Sequence, residues 1–378
     1  MIGPGQAIGI LGGGQLARML AQAAHELGYR VHVFEPYGPG TAGAVAERLT
    51  RAPYGDVAAL EAFARSVDVA TCETEDIPAE ALEAIGAIVE VHPSPEVLGI
   101  CRDRWRQKAW LGAGGFPHAR HAEALGGDVE AAASHVGLPC VVKAADFGCD
   151  GKGQMTIATG DDLVRAAAIF RGRRCVVEQW IESEREICVT CARSRSGETR
   201  TFPAAESLQQ NNILDVAIVP ARIPASVEAE ARGLAAAVAD RLGAVGLVAV
   251  EMFVTRSGGV IVNELAPRPH DSGHWSIDGG ETSHFEQLVR ALCGLPLGPA
   301  GARNPTVMVN ILGDSWKWLD GALTGEPDWR VVLAEPRAKL HVYGGPEPRP
   351  GRRMGHFTVQ GAEVEGSLSL ARELKARL

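Results

Sequence analysis

The sequence has no excess of basic residues. Its 378 residues include 37 Lys and Arg against 46 Asp and Glu, which gives a formal net charge of −9 at pH 7. Proteins that bind nucleic acid usually present a basic face, so this balance argues against a nucleic-acid partner. A phosphate-bearing small substrate remains compatible, because a local group of arginines is enough to bind it. No apolar run approaches the ~20 residues that cross a bilayer, so no membrane partner is expected.

The sequence also lacks a signal-peptide pattern and a repeated cysteine motif. Its N-terminus leads directly into a strand pattern, which favours a cytoplasmic protein. The eight cysteines are scattered in apolar segments, as is typical of reduced cytosolic thiols. Cys188 and Cys191 have the spacing of a redox or zinc pair. Because no second pair follows at metal-ligand spacing, we expect these cysteines to be structural.

The first hundred residues predict a βα unit of the nucleotide-binding type. A strand at Ala7–Leu11, a helix at Gln15–Leu27 and a strand at Arg30–Phe34 follow one another. Gly12–Gly14 lies at the first turn, where N–H groups at a helix N-terminus can hold an anion or a polar ring. Glu35 stands where dinucleotide folds often place a ribose-binding acid, so an NAD-dependent dehydrogenase is an alternative. The glycines do not form the full fingerprint, which argues against it.

Acidic residues follow the next predicted strand of this unit. The strand is Val67–Cys72, and Glu73, Glu75 and Asp76 come directly after it. Ligands bind at the carboxyl ends of strands in open α/β sheets. The cluster is therefore either part of a ligand site or a solvated acidic loop.

The middle of the chain has a glycine-rich loop with a lysine ahead of it. Cys140–Lys143 and Met155–Ile157 are short strand patterns on either side of Phe147–Gln154. Three glycines in this loop let the backbone wrap around phosphates, although a glycine hairpin can also be simple turn chemistry. Arg104 and Lys108 are four residues apart on a predicted helix, hence on one face. Lys143 ahead of the loop and Arg104 favour phosphate binding, but the loop is not a Walker A motif.

Two further stretches carry polar residues at strand ends. Cys175–Ile181 is a strand that emerges into polar residues, where backbone groups can bind adenine, and Glu186 could then hold a ribose. Glu251 lies in a strand pattern, and Glu264 ends the next one beside Asn263. Two carboxylates on adjacent strands repel unless a cation lies between them, and such oxygens suit Mg²⁺ together with nucleotide phosphates. The alternative is one exposed and one salt-bridged Glu.

Together these residues resemble the ATP-grasp superfamily. Within it, the chain is most similar to the 5-(carboxyamino)imidazole ribonucleotide synthase family. The stretches that carry the resemblance are Gly12–Met19, Asp150–Gln154, Asn263–Trp275 and Arg349–His356. The resemblance covers about residues 8–356, and the third stretch is its most specific part.

The resemblance implies an α/β ATP-grasp fold with an α+β lid. We expect a Rossmann-like pre-ATP-grasp domain at 1–98, a central lid domain at 99–176 and a C-terminal mixed α/β domain with the metal site at 177–378. This division agrees with a chain that is too long for one core. Members of the family are often homodimers, so a homodimer is expected.

The activity implied by the resemblance is ATP-dependent carboxylation. ATP would phosphorylate bicarbonate to carboxyphosphate, and the exocyclic amine of 5-aminoimidazole ribonucleotide would take the carboxyl group. The expected cofactors are ATP and Mg²⁺, with Mn²⁺ as a substitute, and the expected metal ligands are Glu251 and Glu264.

The resemblance also implies roles for particular residues. The expected nucleotide-binding residues are Arg104, Lys143, Gly148, Asp150, Gly151, Lys152, Gly153, Gln154, Glu178, Gln179, Trp180, Ile181, Glu186, Asn263 and Glu264. The expected catalytic residues are Asp150, Lys152, Arg268 and His270. The expected residues for the acceptor substrate are Gly14, Gln15, Leu16, Glu73, Gln209, His270, Asp271, Arg352 and Arg353. A zinc pair of His270 and His274 is not expected, because Ser272 and Gly273 break any helix between them.

Departures from the family pattern concern the acceptor side. The family usually has Tyr at Cys149, Asn at Asp271, His at Gln209 and a phosphate-binding Lys at Gly345. Losing a cation and gaining an anion should weaken binding of a phosphorylated acceptor. An alternative is therefore a relative that carboxylates or ligates another amine in specialised metabolism. A non-enzymatic nucleotide-binding regulator is a further alternative, which the retained acidic pair argues against.

Overall fold

A computed structural model of the chain describes residues 1–38, 40–146, 153–345 and 347–378. The expectations for Gly148, Cys149, Asp150, Gly151 and Lys152 lie outside the described residues. No helix among the described residues is both long and apolar enough to cross a membrane. The α-helices are α1 (Gln15–Glu26), α2 (Val57–Ala64), α3 (Ala79–Gly86), α4 (Pro95–Arg102), α5 (Arg104–Ala113), α6 (Val129–Val136), α7 (Gly160–Ile169), α8 (Ala225–Leu242), α9 (Ser276–Gly279), α10 (His284–Cys293), α11 (Arg330–Leu333) and α12 (Val364–Arg377).

The N-terminal part contains a parallel sheet, as the βαβ pattern predicts. Its strands are β1 (Ala7–Leu11), β2 (Arg30–Phe34), β3 (Arg48–Thr50), β4 (Val69–Cys72) and β5 (Val91–His92). Their order is β3-β2-β1-β4-β5, with every pairing parallel. β1 is apolar throughout, and β4 is buried with Thr71 as its one polar residue, as expected for a sheet covered on both faces.

The middle part contains a small antiparallel sheet. Its strands are β6 (His121–Ala124), β7 (Cys140–Ala144), β8 (Gln154–Ile157) and β9 (Cys175–Gln179), in the order β6-β9-β7-β8. β7 and β8 pair antiparallel, with Lys143 opposite Gln154, so the glycine-rich loop connects the two strands of a hairpin as predicted. Helices α6 and α7 pack on this sheet through a core that includes Val129, Ala166 and Phe170.

A large sheet forms the C-terminal part. Its strands are β10 (Ser183–Arg193), β11 (Thr199–Thr201), β12 (Ala205–Gln210), β13 (Ile213–Val219), β14 (Gly246–Thr255), β15 (Val260–Ala266), β16 (Thr306–Leu312), β19 (Ala338–Val342) and β20 (Arg353–Gln360). The order is β15-β14-β10-β12-β13-β16-β20-β19, and β11 pairs with β10. A separate hairpin follows β16, made of β17 (Lys317–Leu319) and β18 (Ala322–Gly325).

The N-terminal and C-terminal parts share one apolar core. Leu20 and Val31 of the parallel sheet unit belong to the same cluster as Leu247, Phe285 and Leu288. Ile2 N donates to Cys293 O at 2.8 Å, which adds a backbone link between them. Burial of this apolar surface, at roughly 25 cal/mol per Å², holds the two parts in contact. The carboxyl end of β4 is thereby fixed close to the end of β15.

Several element boundaries differ from the sequence expectations. The sequence from Arg102 to Leu111 has a basic helical pattern, but its first residue ends α4 and the rest belongs to α5, because Asp103 is the N-cap of α5 and accepts from Arg106 N at 2.9 Å. The second acidic strand continues past Glu264 to Ala266. The leucine spacing predicts a last helix over Leu368–Leu378 with Leu370, Leu374 and Leu378 on one side, whereas the helix begins at Val364, and of these three leucines it buries Leu374, together with Leu368 and Ala371. The three-domain division stays a prediction.

Candidate active site

A cavity of about 340 Å³ lies where the three sheets approach one another. Most of the predicted site residues line it. From the nucleotide and metal sets these are Arg104, Lys143, Gln154, Glu178, Gln179, Trp180, Ile181, Glu186, Glu251, Asn263 and Glu264. From the catalytic and acceptor sets they are Gln209, Arg268, His270, Asp271 and Arg353. The structure therefore brings together residues that are up to 249 positions apart, from Arg104 to Arg353.

The acidic pair faces the cavity because of a β-bulge. Glu251 pairs directly with Glu264, whereas the next pair is Met252 with Val262, so Asn263 is an extra residue on β15. Neighbouring residues of a regular strand point to opposite faces. The bulge removes this alternation locally, and both Asn263 and Glu264 line the cavity. Three oxygen-bearing side chains are thus presented on one side of the hairpin.

Two lysines and one glutamate form a buried charged group beside the bulge. Lys108 is only 2% exposed, and its Nζ lies 3.0 Å from Glu178 Oε2 and donates to Asn263 O at 2.7 Å. Lys143 Nζ lies 3.2 Å from the same Glu178 oxygen and 3.3 Å from Asn263 Oδ1. Burial alone would raise the pKa of Glu178, but Lys108 and Lys143 lower it to about 2. Glu178 is therefore a carboxylate at neutral pH.

Arg104 joins α5 to the acidic pair. Its Nη1 donates to Ala144 O at 3.2 Å, and its Nη2 lies 3.5 Å from Glu264 Oε1. The residue is buried, so its charge is poorly screened and acts on the cavity at close range. The helix periodicity predicted that Arg104 and Lys108 share a face, and both face the ends of β7 and β15.

The residues fit a divalent cation that also binds a nucleotide. Glu251 and Glu264 offer hard oxygen ligands at the same register. In the described part of the chain, no group of three or more His, Cys, Asp or Glu residues is arranged to hold a metal by itself. Two carboxylates completed by phosphate oxygens and water are the usual arrangement for Mg²⁺, so the set suits a nucleotide-bound metal and not a closed protein site.

The end of β9, the two residues that follow it and the nearby Glu186 form the other end of the cavity. Trp180 is 44% exposed, and Gln179 and Ile181 flank it on the cavity wall. Burial and then the charge of Glu251 raise the pKa of Glu186 to about 7, although Lys143 opposes this shift. Gln209 Nε2 donates to Glu186 Oε2 at 2.8 Å, so the Gln that replaces the family's usual His holds this carboxyl group.

His270 lies between the metal candidates and the acceptor side. Its Nε2 is 3.1 Å from Glu251 Oε1, and its Nδ1 is 2.8 Å from Ser272 Oγ. Burial would lower the pKa of His270, but Asp271, Cys188 and Glu251 together raise it well above its usual value. These contacts fix the imidazole ring in one orientation next to the cavity.

Asp271 is paired with an arginine instead of facing the cavity as an isolated anion. Arg353 Nε donates to Asp271 Oδ2 at 2.6 Å. Burial opposes ionisation of Asp271, but Arg353 and His270 lower its pKa to about 2. Asp271 thus adds a negative charge, as expected, but Arg353 provides a positive charge at the same place that offsets it.

Arg268 connects β15 to the N-terminal sheet. Its Nε donates to Glu75 Oε2 at 2.6 Å, and its Nη1 donates to Pro269 O at 2.9 Å. Glu75 follows β4 and also lines the cavity. Of the three acidic residues after β4, it is thus Glu75 that contacts a predicted catalytic residue, while the sequence analysis selected Glu73.

The glycine turn at the start of α1 holds anions that belong to the chain itself. Glu73 accepts from Gly14 N and, at 2.8 Å, from Ala17 N, and Glu35 accepts from Gly13 N at 2.6 Å. The predicted acceptor residues at this turn are therefore engaged with these carboxylates, or lie next to them, and are not part of the cavity lining. These residues are Gly14, Gln15, Leu16 and Glu73.

Two further expected site residues lie away from the cavity lining. Arg352 precedes β20, and it is the adjacent Arg353 that lines the cavity. Gly153 precedes β8 and has a positive φ of 74°, a conformation that favours glycine. The roles proposed for both residues stay predictions.

Comparison with known proteins supports the same assignment along the whole chain. Three family models match: a ribonucleotide synthetase preATP-grasp domain at 6–102, an ATP-grasp domain at 114–285 and a phosphoribosylaminoimidazole carboxylase C-terminal domain at 306–368. The N5-carboxyaminoimidazole ribonucleotide synthase of Bacillus subtilis is 40% identical over 359 residues, covering 95% of this chain and 92% of the relative.

The chain belongs to the N5-carboxyaminoimidazole ribonucleotide synthase family of ATP-grasp enzymes.

Solved structures of the family have the same fold. An N5-carboxyaminoimidazole ribonucleotide synthetase in complex with ADP superposes with a TM-score of 0.92 at 37% identity, covering 99% of this chain and 97% of the other. The enzyme of Aspergillus clavatus in complex with ADP and 5-aminoimidazole ribonucleotide has a TM-score of 0.87 at 27% identity, covering 99% of each chain. The chain also matches 37% of a longer relative, the bifunctional purine synthesis protein of Dictyostelium discoideum.

Family membership confirms the ATP-grasp fold and the enzyme class that the sequence predicts, and it displaces the dehydrogenase and regulator alternatives. Lys108 and Glu75 are two residues of the site that the sequence analysis did not select as functional. A signal existed for each, since Lys108 is one helical turn from Arg104 and Glu75 lies at the carboxyl end of β4. The free cysteines of the described residues are all buried, as expected for structural cysteines.

Proposed function

We propose that this chain uses ATP to carboxylate the exocyclic amine of 5-aminoimidazole ribonucleotide with bicarbonate. The observation that carries this proposal is the common cavity wall formed by Lys143, the Asn263 bulge with its two carboxylates, Arg268 and His270. The part of the cavity expected to bind the nucleotide, at Lys143 and the bulge, is its nucleotide end, and the part at Arg268 and His270 is its oxyanion end. The two ends meet at this wall, as a phosphoryl transfer followed by an acyl transfer requires.

In the first step, an oxygen of bicarbonate attacks the γ-phosphorus of ATP, the bond to the β–γ bridging oxygen breaks, and ADP leaves. Lys143 and Arg104 face the phosphates and stabilise the developing negative charge. Glu251 and Glu264 would hold a divalent cation, which we propose to be Mg²⁺ with Mn²⁺ as a substitute, and when bound it would supply charge neutralisation at the transferring group. Gln179, Trp180 and Ile181 bind the adenine end, and Glu186 the ribose.

In the second step, the amine nitrogen attacks the carboxyl carbon of carboxyphosphate. The carbon–oxygen bond to phosphate breaks, inorganic phosphate leaves, and the amine loses a proton. Arg268 presents a planar fork of donors to the carbonate and phosphate oxygens. His270, fixed between Glu251 and Ser272, orients the amine side.

The acceptor phosphate would bind at the Arg353 end of the cavity. Arg353 lines the cavity and provides a cation, while the family's usual lysine is replaced by Gly345. A Cβ at Gly345 would lie 2.4 Å from Thr41 Cγ2, and its φ of 151° disfavours other residues. A side chain at 345 could therefore be introduced only after the backbone moved.

The direct test measures ADP release with ATP, Mg²⁺ and bicarbonate, with and without 5-aminoimidazole ribonucleotide. We expect ADP release to depend on both bicarbonate and the acceptor, and isotopically labelled bicarbonate to appear in the carboxylated product by mass spectrometry. Turnover that is independent of this acceptor but stimulated by another amine would support the alternative acceptor and refute the proposal. A homodimer also stays a prediction, which analytical ultracentrifugation would check.

A further inference from the structure

The ion pair of Glu75 and Arg268 joins two parts of the chain that are distant in sequence. Glu75 lies in the loop after β4, and Arg268 lies two residues after β15, 193 positions later. The side chains are 11% and 17% exposed, and the Nε to Oε2 distance is 2.6 Å. A hydrogen bond of this length between charged groups is a strong one, and its burial protects it from screening by salt.

Two prolines restrict the backbone on either side of Arg268, and hydrogen bonds orient its side chain. Pro267 and Pro269 flank the residue, and each proline ring fixes its own φ. Arg268 Nη1 donates to Pro269 O at 2.9 Å, and Nε donates to Glu75. Because the guanidinium is planar, two bonds to separate acceptors determine the plane in which its remaining N–H vectors lie.

We propose that Glu75 is a positioning residue for the reaction, because it holds the Arg268 guanidinium in the plane that binds the carbonate and phosphate oxygens. The inference rests on the proposed function of the same cavity. Glu75 acts through Arg268, so its loss disturbs the oxyanion end of the cavity and leaves the nucleotide end intact. A residue that follows β4 of the N-terminal sheet thereby contributes to the reaction at the end of β15 in the C-terminal sheet.

A purely structural role, in which the pair only holds the two parts of the chain together, predicts a different result. A second ion pair allows the two roles to be separated. Arg195, two residues after β10, pairs with Glu90, which precedes β5, so this pair also links the C-terminal and N-terminal parts. Neither residue lines the cavity. Glu90→Ala therefore removes a link between the same two parts, one that is more exposed to solvent, without touching Arg268.

The experiment compares wild type, Glu75→Gln, Glu75→Ala and Glu90→Ala. It measures kcat, KM for bicarbonate and KM for ATP, together with the thermal unfolding midpoint. We expect Glu75→Ala to lower kcat/KM for bicarbonate by about tenfold or more, as losing a charged hydrogen bond of roughly 1.5–3 kcal/mol implies. KM for ATP should stay within about twofold of wild type. Glu75→Gln, which replaces the charged acceptor by a neutral one, should show a smaller loss of the same kind, and Glu90→Ala should change neither KM.

The outcomes separate this inference from the proposed function. If wild type shows no bicarbonate-dependent ADP release, the proposed function itself falls. If wild type is active and both Glu75 variants keep kcat and both KM values, Glu75 does not position Arg268. Equal increases in both KM values, matched by Glu90→Ala, would assign the pair a structural role and also overturn the inference. If Glu75→Ala does not fold, Glu75→Gln, which keeps an acceptor for Arg268 Nε, decides between these results.

Discussion

A buried histidine gives the protein a defined source of acid sensitivity. His284, the first residue of α10, is fully buried, and its Nδ1 lies 2.9 Å from Ser276 Oγ. Its Nε2 has no hydrogen-bond partner among the described residues. Burial, and then the positive charge of His270, lower the pKa of His284 from 6.5 to about 3, although Asp271 opposes the shift. The ring is therefore neutral in the folded protein at any pH above this value.

The direction in which the free energy of unfolding changes with pH follows from proton binding at His284. Between pH 6.5 and about 3 the unfolded chain binds a proton at His284 that the folded chain does not bind, so the free energy of unfolding decreases as the pH falls. One group contributes about 1.4 kcal/mol per pH unit in this window. His284→Gln removes this proton uptake. We expect its unfolding free energy to depend on pH less steeply than that of wild type, by about 1.4 kcal/mol per pH unit.

Urea unfolding at pH 7.5, 6.5, 5.5 and 4.5, a series spaced by about one unit around the ordinary histidine pKa, measures this difference. Comparing slopes cancels the contributions of the other titrating groups and any constant loss of stability in the variant. His135→Gln is a matched control, because His135 is exposed near the end of α6 and its replacement should leave the slope unchanged. Parallel pH profiles for wild type and His284→Gln would refute the argument.

Three further predictions concern the cavity. Lys108→Met leaves the buried Glu178 with one cation fewer, and should lower the unfolding free energy in urea by about 3–5 kcal/mol. Glu264→Gln removes one of the carboxylate oxygens that we propose to bind the metal, and should reduce acceptor-dependent ADP release by about 10- to 100-fold, a loss that raised Mg²⁺ should partly restore. Arg353→Gln removes the arginine that pairs with Asp271, and should raise KM for the acceptor by about 10- to 100-fold while KM for ATP is unchanged. An acceptor KM within twofold of wild type would contradict the last prediction.

Local patterns in the sequence predicted the elements that carry the site. The strand, turn and helix from Ala7 to Glu26, the common face of Arg104 and Lys108, and the hairpin around the glycine loop all follow from periodicity and turn residues, which act over a few positions. The adjacency of Glu251 and Glu264 followed from the short turn between their strands. These features depend on interactions between residues that are close in sequence.

Features that depend on distant partners could not be derived in this way. The contact of Glu75 with Arg268 joins positions 193 residues apart, and no periodicity relates them. The filling of the Gly14 turn by Glu73 depends on how β4 lies beside β1. The pairing of Asp271 with Arg353, 82 positions away, likewise offsets a negative charge that the sequence showed without its partner. In each case tertiary packing selects the partner of a charged group.

The extra residue at Asn263 limits how the hairpin of β14 and β15 can change in length. A chain without this residue would have a regular ladder with more complete backbone pairing, which ought to be more stable as a hairpin. Removal of Asn263 would leave Glu264 opposite Glu251, because the pairs on both sides of the bulge stay the same, but it would delete the side chain whose Oδ1 accepts from Lys143 Nζ at 3.3 Å. Deletion of Asn263 should therefore be selected against even where it improves folding, because the bulge presents a third oxygen-bearing side chain beside the two carboxylates.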